Sequence, residues 1–113
     1  MVLVVDDHRD SVRLTAQALT RAGHTAKTAE TCAEALEIAR AVKIDVLITD
    51  LALADGDGFD LLTKVRRMYP VRSVILSGTR QDEAPQGEAV SVDAYLVKPV
   101  DLIMLEATVA ALS

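Results

Sequence analysis

Tryptophan is absent from this chain of 113 residues, one phenylalanine and two tyrosines are its only aromatic side chains, and Cys32 is its single cysteine. Any core must therefore be built from Val, Leu, Ile and Ala. A lone cysteine excludes an internal disulfide and a Cys-based zinc site, so a reducing compartment, the cytoplasm, is the expected location. Long apolar runs are missing too. The opening stretch Met1 to Val5 is far short of a signal-peptide core or a membrane span, and no membrane association is expected. Nor is positive charge in excess. A formal net charge of −5 argues against a nucleic-acid surface within this chain.

What is present is globular in character. Half of the residues are apolar, and the length suits one domain with one core, taken as residues 1–113. Repeats, linkers and low-complexity tracts are not visible. The first strand begins at once and the last helix runs to the chain end, as expected of a piece excised from a longer protein.

The pattern along the chain alternates. Val2 to Val5 is a β-branched run suited to a buried strand, and Val12, Ala16, Leu19 and Ala22 follow at helical spacing up to the stop at Gly23. His24 to Ala29 reads as a weaker strand. Thr31-Cys32-Ala33-Glu34 is a capping-box pattern opening a helix toward Val42. Val46 to Thr49 is a third strand, the turn-rich Asp55-Gly56-Asp57-Gly58 precedes a helix through Phe59, Leu62 and Val65, and Pro70 ends it. Val74 to Leu76 is a fourth strand. Between Gly78 and Asp93 the pattern degrades, because Pro85 and Gly87 interrupt the crossover, which predicts a short or frayed fourth helix. Ala94 to Val97 is a fifth strand, and Asp101 offers an N-cap to a last helix reaching Leu112.

Five βα repeats with near-continuous apolar strands predict a doubly wound five-stranded parallel α/β sheet, flavodoxin-like, in the strand order 2-1-3-4-5. Strands one and three then lie side by side, about 4.8 Å apart. Their carboxyl ends carry Asp6, Asp7 and Asp50, and Ser77 and Lys98-Pro99 close two further strands. Crowded carboxylates at the exits of buried strands cost desolvation and repulsion, so they imply a bound cation or a chemical task. An oxygen donor set suits a hard ion, Mg²⁺ before transition metals. Mg²⁺, a strand-end carboxylate, a hydroxyl and an ammonium are together what phosphoryl transfer uses, with Asp50 as acceptor.

The segments VLVVDD, VLITD, VILSG and YLVKP, in this order, resemble the receiver domain of two-component response regulators over essentially the whole chain. The resemblance implies that Asp50 takes a phosphoryl group from a phosphohistidine on a sensor histidine kinase or histidine phosphotransfer protein. It also implies that Asp7, Asp50 and the Ala52 carbonyl bind Mg²⁺, with Asp6 contributing through a water. Lys98 would hold a phosphoryl oxygen, its bond to Pro99 would be cis, and Ser77 and Tyr95 would form the switch. Such a chain is a phosphoacceptor that assists its own chemistry and slow dephosphorylation, not a turnover enzyme.

Two features depart from that family. Leu53-Ala54 replaces the usual Met-Pro-like step, removing a φ restraint from the loop, although Gly58 keeps its expected distance. Ala52 and Thr79, where the family tunes water access to the acyl phosphate, bring neither carboxylate nor amide. His8 sits beside the acidic pair but lacks a partner His, so it reads as a solvated rim residue rather than a metal ligand, and Cys32 reads as inert. Two other readings stand beside the favoured one. An Asp-nucleophile phosphatase would want a second Asp where Ala52 stands, and a receiver-like partner-binding scaffold would not need every charged position filled. Along the last helix, Leu105, Val109 and Leu112 form a core stripe, and Ile103, Met104, Ala107, Ala110 and Ala111 leave an apolar face for a second copy or an adjoining domain.

Overall fold

Val2 to Val5 and Val46 to Asp50 are buried along their whole lengths, the mark of strands covered on both faces. The computed structural model describes residues 1–78 and 92–112. Along the chain these form β1 (Val2–Val5), α1 (Arg9–Arg21), β2 (Ala26–Ala29), α2 (Cys32–Ala41) and β3 (Val46–Asp50). There follow β4 (Ala52–Leu53), β5 (Gly56–Asp57), α3 (Gly58–Arg66), β6 (Arg72–Ser77), β7 (Ala94–Val97) and α4 (Leu102–Leu112). The main sheet is parallel in the order β2-β1-β3-β6-β7, which is the predicted order with β6 and β7 as fourth and fifth strands. β4 and β5 form a separate antiparallel pair. The predicted short fourth helix falls on residues 79–91, outside the described residues.

Alternation along the strands builds two apolar layers. Leu3, Val5 and Leu47 pack on one face with Ala35, Leu61, Leu62 and Val65 of α2 and α3. Val2, Val4, Val46 and Ile48 pack on the other with Val12 and Leu19 of α1 and Leu105 and Val109 of α4. Successive side chains of a strand point to opposite faces, so one short apolar run feeds both layers. On α4, Leu105 and Val109 are buried and Ile103 and Met104 are largely exposed. Among the described residues no helix is long and apolar enough to cross a membrane.

The helix ends follow their local chemistry. At the end of α1, Gly23 takes φ 98°, the His24 N–H donates to the Leu19 carbonyl at 3.0 Å and the Gly23 N–H to the Thr20 carbonyl at 3.1 Å. This paired closure turns the chain toward β2. The Asp101 side chain accepts from the backbone N–H groups of Ile103 and Met104 at 2.9 and 3.3 Å, capping α4.

At α2, Thr31 Oγ1 accepts from the Glu34 N–H at 3.1 Å, but Glu34 Oε1 reaches back to the N–H of Glu30, one residue earlier than a closed capping box requires. The cap itself survives the slip. Thr31→Ala is expected to cost about 1 kcal/mol, read as a lower denaturant midpoint with an unchanged slope.

Several boundaries differ from the sequence reading, and β2 starts at Ala26 rather than His24. α3 starts at Gly58 with Asp57 as N-cap, whose Oδ1 accepts from the Asp60 N–H at 2.8 Å, and it stops at Arg66 well ahead of Pro70. β6 extends from Arg72 to Ser77, beyond its apolar centre, because β3 and β7 pair with it on both sides. Pairing partners are not visible in a local window.

Candidate functional site

Register brings the charged strand ends together. Val5 is the partner of Thr49, so Asp6, the residue just past β1, lies level with Asp50 at the end of β3. Asp50 pairs with Leu76, Ser77 with Val97, and the Lys98 N–H donates to the Ser77 carbonyl at 2.7 Å. At the opposite end of β7, Asp93 accepts from the Ser73 N–H at 2.9 Å and contacts Arg66 at 3.4 Å, which pins the strand in that register. Lys98 is thereby delivered beside the carboxylates.

Lys98 Nζ lies 3.0 Å from Asp50 Oδ2 and 3.6 Å from Asp6 Oδ2. Asp6 and Asp50 are buried, at 3% and 8% exposure, whereas Asp7 is exposed. Burial pushes the Asp50 carboxyl above its ordinary pKa, the Lys98 contact opposes that shift, and repulsion from Asp6 and Asp7 adds to it. For Lys98 burial works downward, but the contacts with Asp50 and Asp6 win and hold its pKa above the ordinary value. Among the described residues, three carboxylates cluster at this end of the sheet and one ammonium reaches two of them. The surplus negative charge and the oxygen donors suit a small hard divalent cation, and donor atoms of Asp6, Asp7, His8 and Asp50 lie within 4.8 Å of one another.

His8 is on the rim as the sequence reading has it, but its ring turns inward. Nδ1 lies 3.0 Å from Asp7 Oδ1 and 3.4 Å from Asp6 Oδ1. The remaining predicted residues are placed as follows. Ser77 is buried at the end of β6, Ala52 opens β4 opposite Asp57, and the Lys98–Pro99 peptide is cis. The Tyr95 hydroxyl is buried without a hydrogen-bond partner among the described residues. Thr79 lies outside them. A cleft of about 540 Å³ lined by Asp6, His8, Leu14, Lys98, Pro99 and Leu102 opens beside the cluster. A larger one, about 750 Å³, runs along α1 between Arg13, Arg21 and Glu34, on surface that none of the predicted site residues lines.

Sequence reasoning missed Asp55. It reads as a turn former, yet its two oxygens accept from the backbone N–H groups of Cys32 and Ala33 at 2.8 and 3.1 Å, which holds its carboxyl below the usual range. A loop carboxylate thus caps the start of α2 and ties down the β4–β5 hairpin beside Asp50. The spacing could not show a contact made across the fold.

The same contact bears on Cys32. Burial and the adjacent Asp55 carboxylate push its thiol up to about 11 from 9.0. Thiolate is the reactive form, so alkylation of Cys32 near pH 8 is expected to be about a hundredfold slower in the folded protein than in urea-unfolded protein. A time course of iodoacetamide labelling by mass spectrometry checks this, and equal rates would reject it.

Residues 2–110 match the family model of the response regulator receiver domain. The chain is 33% identical over 103 residues to the transcriptional regulatory protein GlrR of Escherichia coli, a match covering 88% of this chain and 23% of that protein. It is also 33% identical over 113 residues to the sensor histidine kinase RcsC of Salmonella typhimurium, covering 97% of this chain and 12% of that protein. The chain therefore spans less than a quarter of the length of these two relatives. A crystal structure of a two-component response regulator from Clostridium difficile matches with a TM-score of 0.90 at 28% identity, over 98% of this chain and 93% of that one.

Proposed function

The chain belongs to the response regulator receiver domain family, and from that membership we propose that Asp50 accepts a phosphoryl group from a phosphohistidine on a sensor histidine kinase or a histidine phosphotransfer protein. The observation that carries the reading is the 3.0 Å approach of Lys98 Nζ to Asp50 Oδ2 inside a ring of carboxylates. An Asp50 oxygen attacks phosphorus in line, the new O–P bond forms as the N–P bond to the donor imidazole breaks, and the imidazole nitrogen regains a proton. Lys98 then exchanges its carboxylate contact for a phosphoryl oxygen. Ser77, buried one strand away, would donate its hydroxyl to another.

Asp6, Asp7, Asp50 and the Ala52 carbonyl would hold Mg²⁺, which when bound neutralises charge on the carboxylates and the phosphoryl oxygens. The donors present fit that ion. Asp6 and Asp50 are buried beside the Lys98 ammonium, and the donor atoms around them are mutually close. Movement of Ser77 toward the phosphoryl group would be read out by Tyr95 on the neighbouring strand. Its buried hydroxyl, lacking a partner among the described residues, gives it a reason to change position.

Incubation with acetyl phosphate and Mg²⁺ tests the reading. The expected result is the mass of one added phosphoryl group, mapped to the peptide holding Asp50 and absent when EDTA removes the ion. No Mg²⁺-dependent gain would reject phosphoacceptance and leave the partner-binding scaffold in its place.

A further inference from the structure

His8 is the N-cap residue of α1, yet its side chain makes no capping hydrogen bond. Instead, Nδ1 faces the carboxylates. An octahedral ion with bonds of 2.0–2.1 Å places neighbouring ligand atoms about 3.0 Å apart and opposite ones about 4.2 Å apart. The Nδ1 separations of 3.0 Å from Asp7 Oδ1 and 3.4 Å from Asp6 Oδ1 are close to such polyhedron edges. The His8 N–H also donates to Asp6 Oδ1 at 2.9 Å, which holds the histidine backbone against the same carboxylate. Its side chain is 72% exposed, so no packing opposes the small rotation that would point the ring nitrogen at a shared centre.

We propose that His8 is a ligand of the divalent ion held by Asp6, Asp7 and Asp50, and that its nitrogen biases this site toward Mn²⁺ and Co²⁺ relative to Mg²⁺. The proposal rests on the assignment of those carboxylates as the ion site. Mg²⁺ gains little from an imidazole, because it prefers oxygen and keeps its waters, whereas ions later in the first transition row bind imidazole progressively better. One ring nitrogen among oxygen donors therefore changes relative affinities more than the affinity for Mg²⁺ itself.

Tag-free wild-type protein and His8→Ala are titrated with MgCl2 and CoCl2 by calorimetry, and their Mn²⁺ complexes are examined by pulsed EPR. The expected result is that His8→Ala weakens Co²⁺ binding by about tenfold or more and leaves Mg²⁺ binding within about twofold. A nitrogen hyperfine coupling is expected in the wild-type Mn²⁺ complex and not in His8→Ala. Equal changes for both ions, or the same nitrogen signal in both proteins, would overturn the role of His8 and leave the carboxylate site standing. Failure of every ion to bind the wild-type protein would overturn the carboxylate site itself, and His8's role with it.

Discussion

Asp50→Asn is expected to reduce Mg²⁺-dependent phosphoryl uptake from acetyl phosphate to background and, in the metal-free protein, to raise the thermal midpoint at neutral pH. The first effect follows because a neutral amide offers no anionic oxygen to attack phosphorus. The second follows from electrostatics. Burial raises the pKa of Asp50 above its ordinary 3.8, Lys98 offsets part of that, and Asp6 and Asp7 add to it. A carboxyl whose folded pKa is raised holds its proton more tightly in the folded state. Stability therefore falls as pH rises from the unfolded value through the folded one, and the deficit is complete above it.

The variant lacks this deficit and keeps Lys98 near Asp6, at 3.6 Å. Its advantage over the wild type should thus grow as pH rises from about 4 toward neutrality. Melting curves in EDTA at several pH values measure this, and Mg²⁺ should stabilise the wild type more than the variant. Phosphoryl uptake undiminished in Asp50→Asn would place the acceptor elsewhere.

Gly58→Ala is expected to destabilise the fold by about 1–3 kcal/mol and to slow phosphoryl uptake at the same time. A Cβ on Gly58 would lie 2.6 Å from the Asp50 carbonyl oxygen and 3.1 Å from Thr49 Cγ2, while the Gly58 N–H is bound to the Leu51 carbonyl at 2.8 Å. The first turn of α3 cannot retreat without losing that bond, and β3 cannot yield because β1 and β6 flank it. Strain therefore passes to the backbone of Asp50. Gly56→Ala is the contrast, since its Cβ would meet only Cys32 Sγ at 3.2 Å. Urea unfolding of both variants checks the pair, and a Gly58→Ala midpoint equal to that of the wild type would reject the close-approach argument.

Much of this was legible from local pattern. Val2 to Val5 and Val46 to Thr49 announce buried strands because apolar residues without alternation can serve a sheet covered on both sides, and both observed strands feed the two layers. The Gly23 stop and the Asp101 cap are written within one turn of the helices they bound, and both are present. The β4–β5 hairpin was less legible. Asp55-Gly56-Asp57-Gly58 signals a turn, but only the pairing of Ala52 with Asp57 makes it a hairpin and moves the start of α3 onto Gly58.

Local pattern specifies a doubly wound parallel sheet and puts carboxylates, a hydroxyl and a lysine at strand exits, since apolar period and chain direction are local properties. Which of them meet depends on how the strands and loops pack. Lys98 reaches Asp50 and Asp6 through strand register, Asp55 reaches the start of α2 across the fold, and the His8 ring turns back onto Asp6 and Asp7. Each of these contacts depends on packing between segments far apart in the chain or on a rotamer selected by neighbouring charge. Neither is encoded in the spacing of the residues concerned.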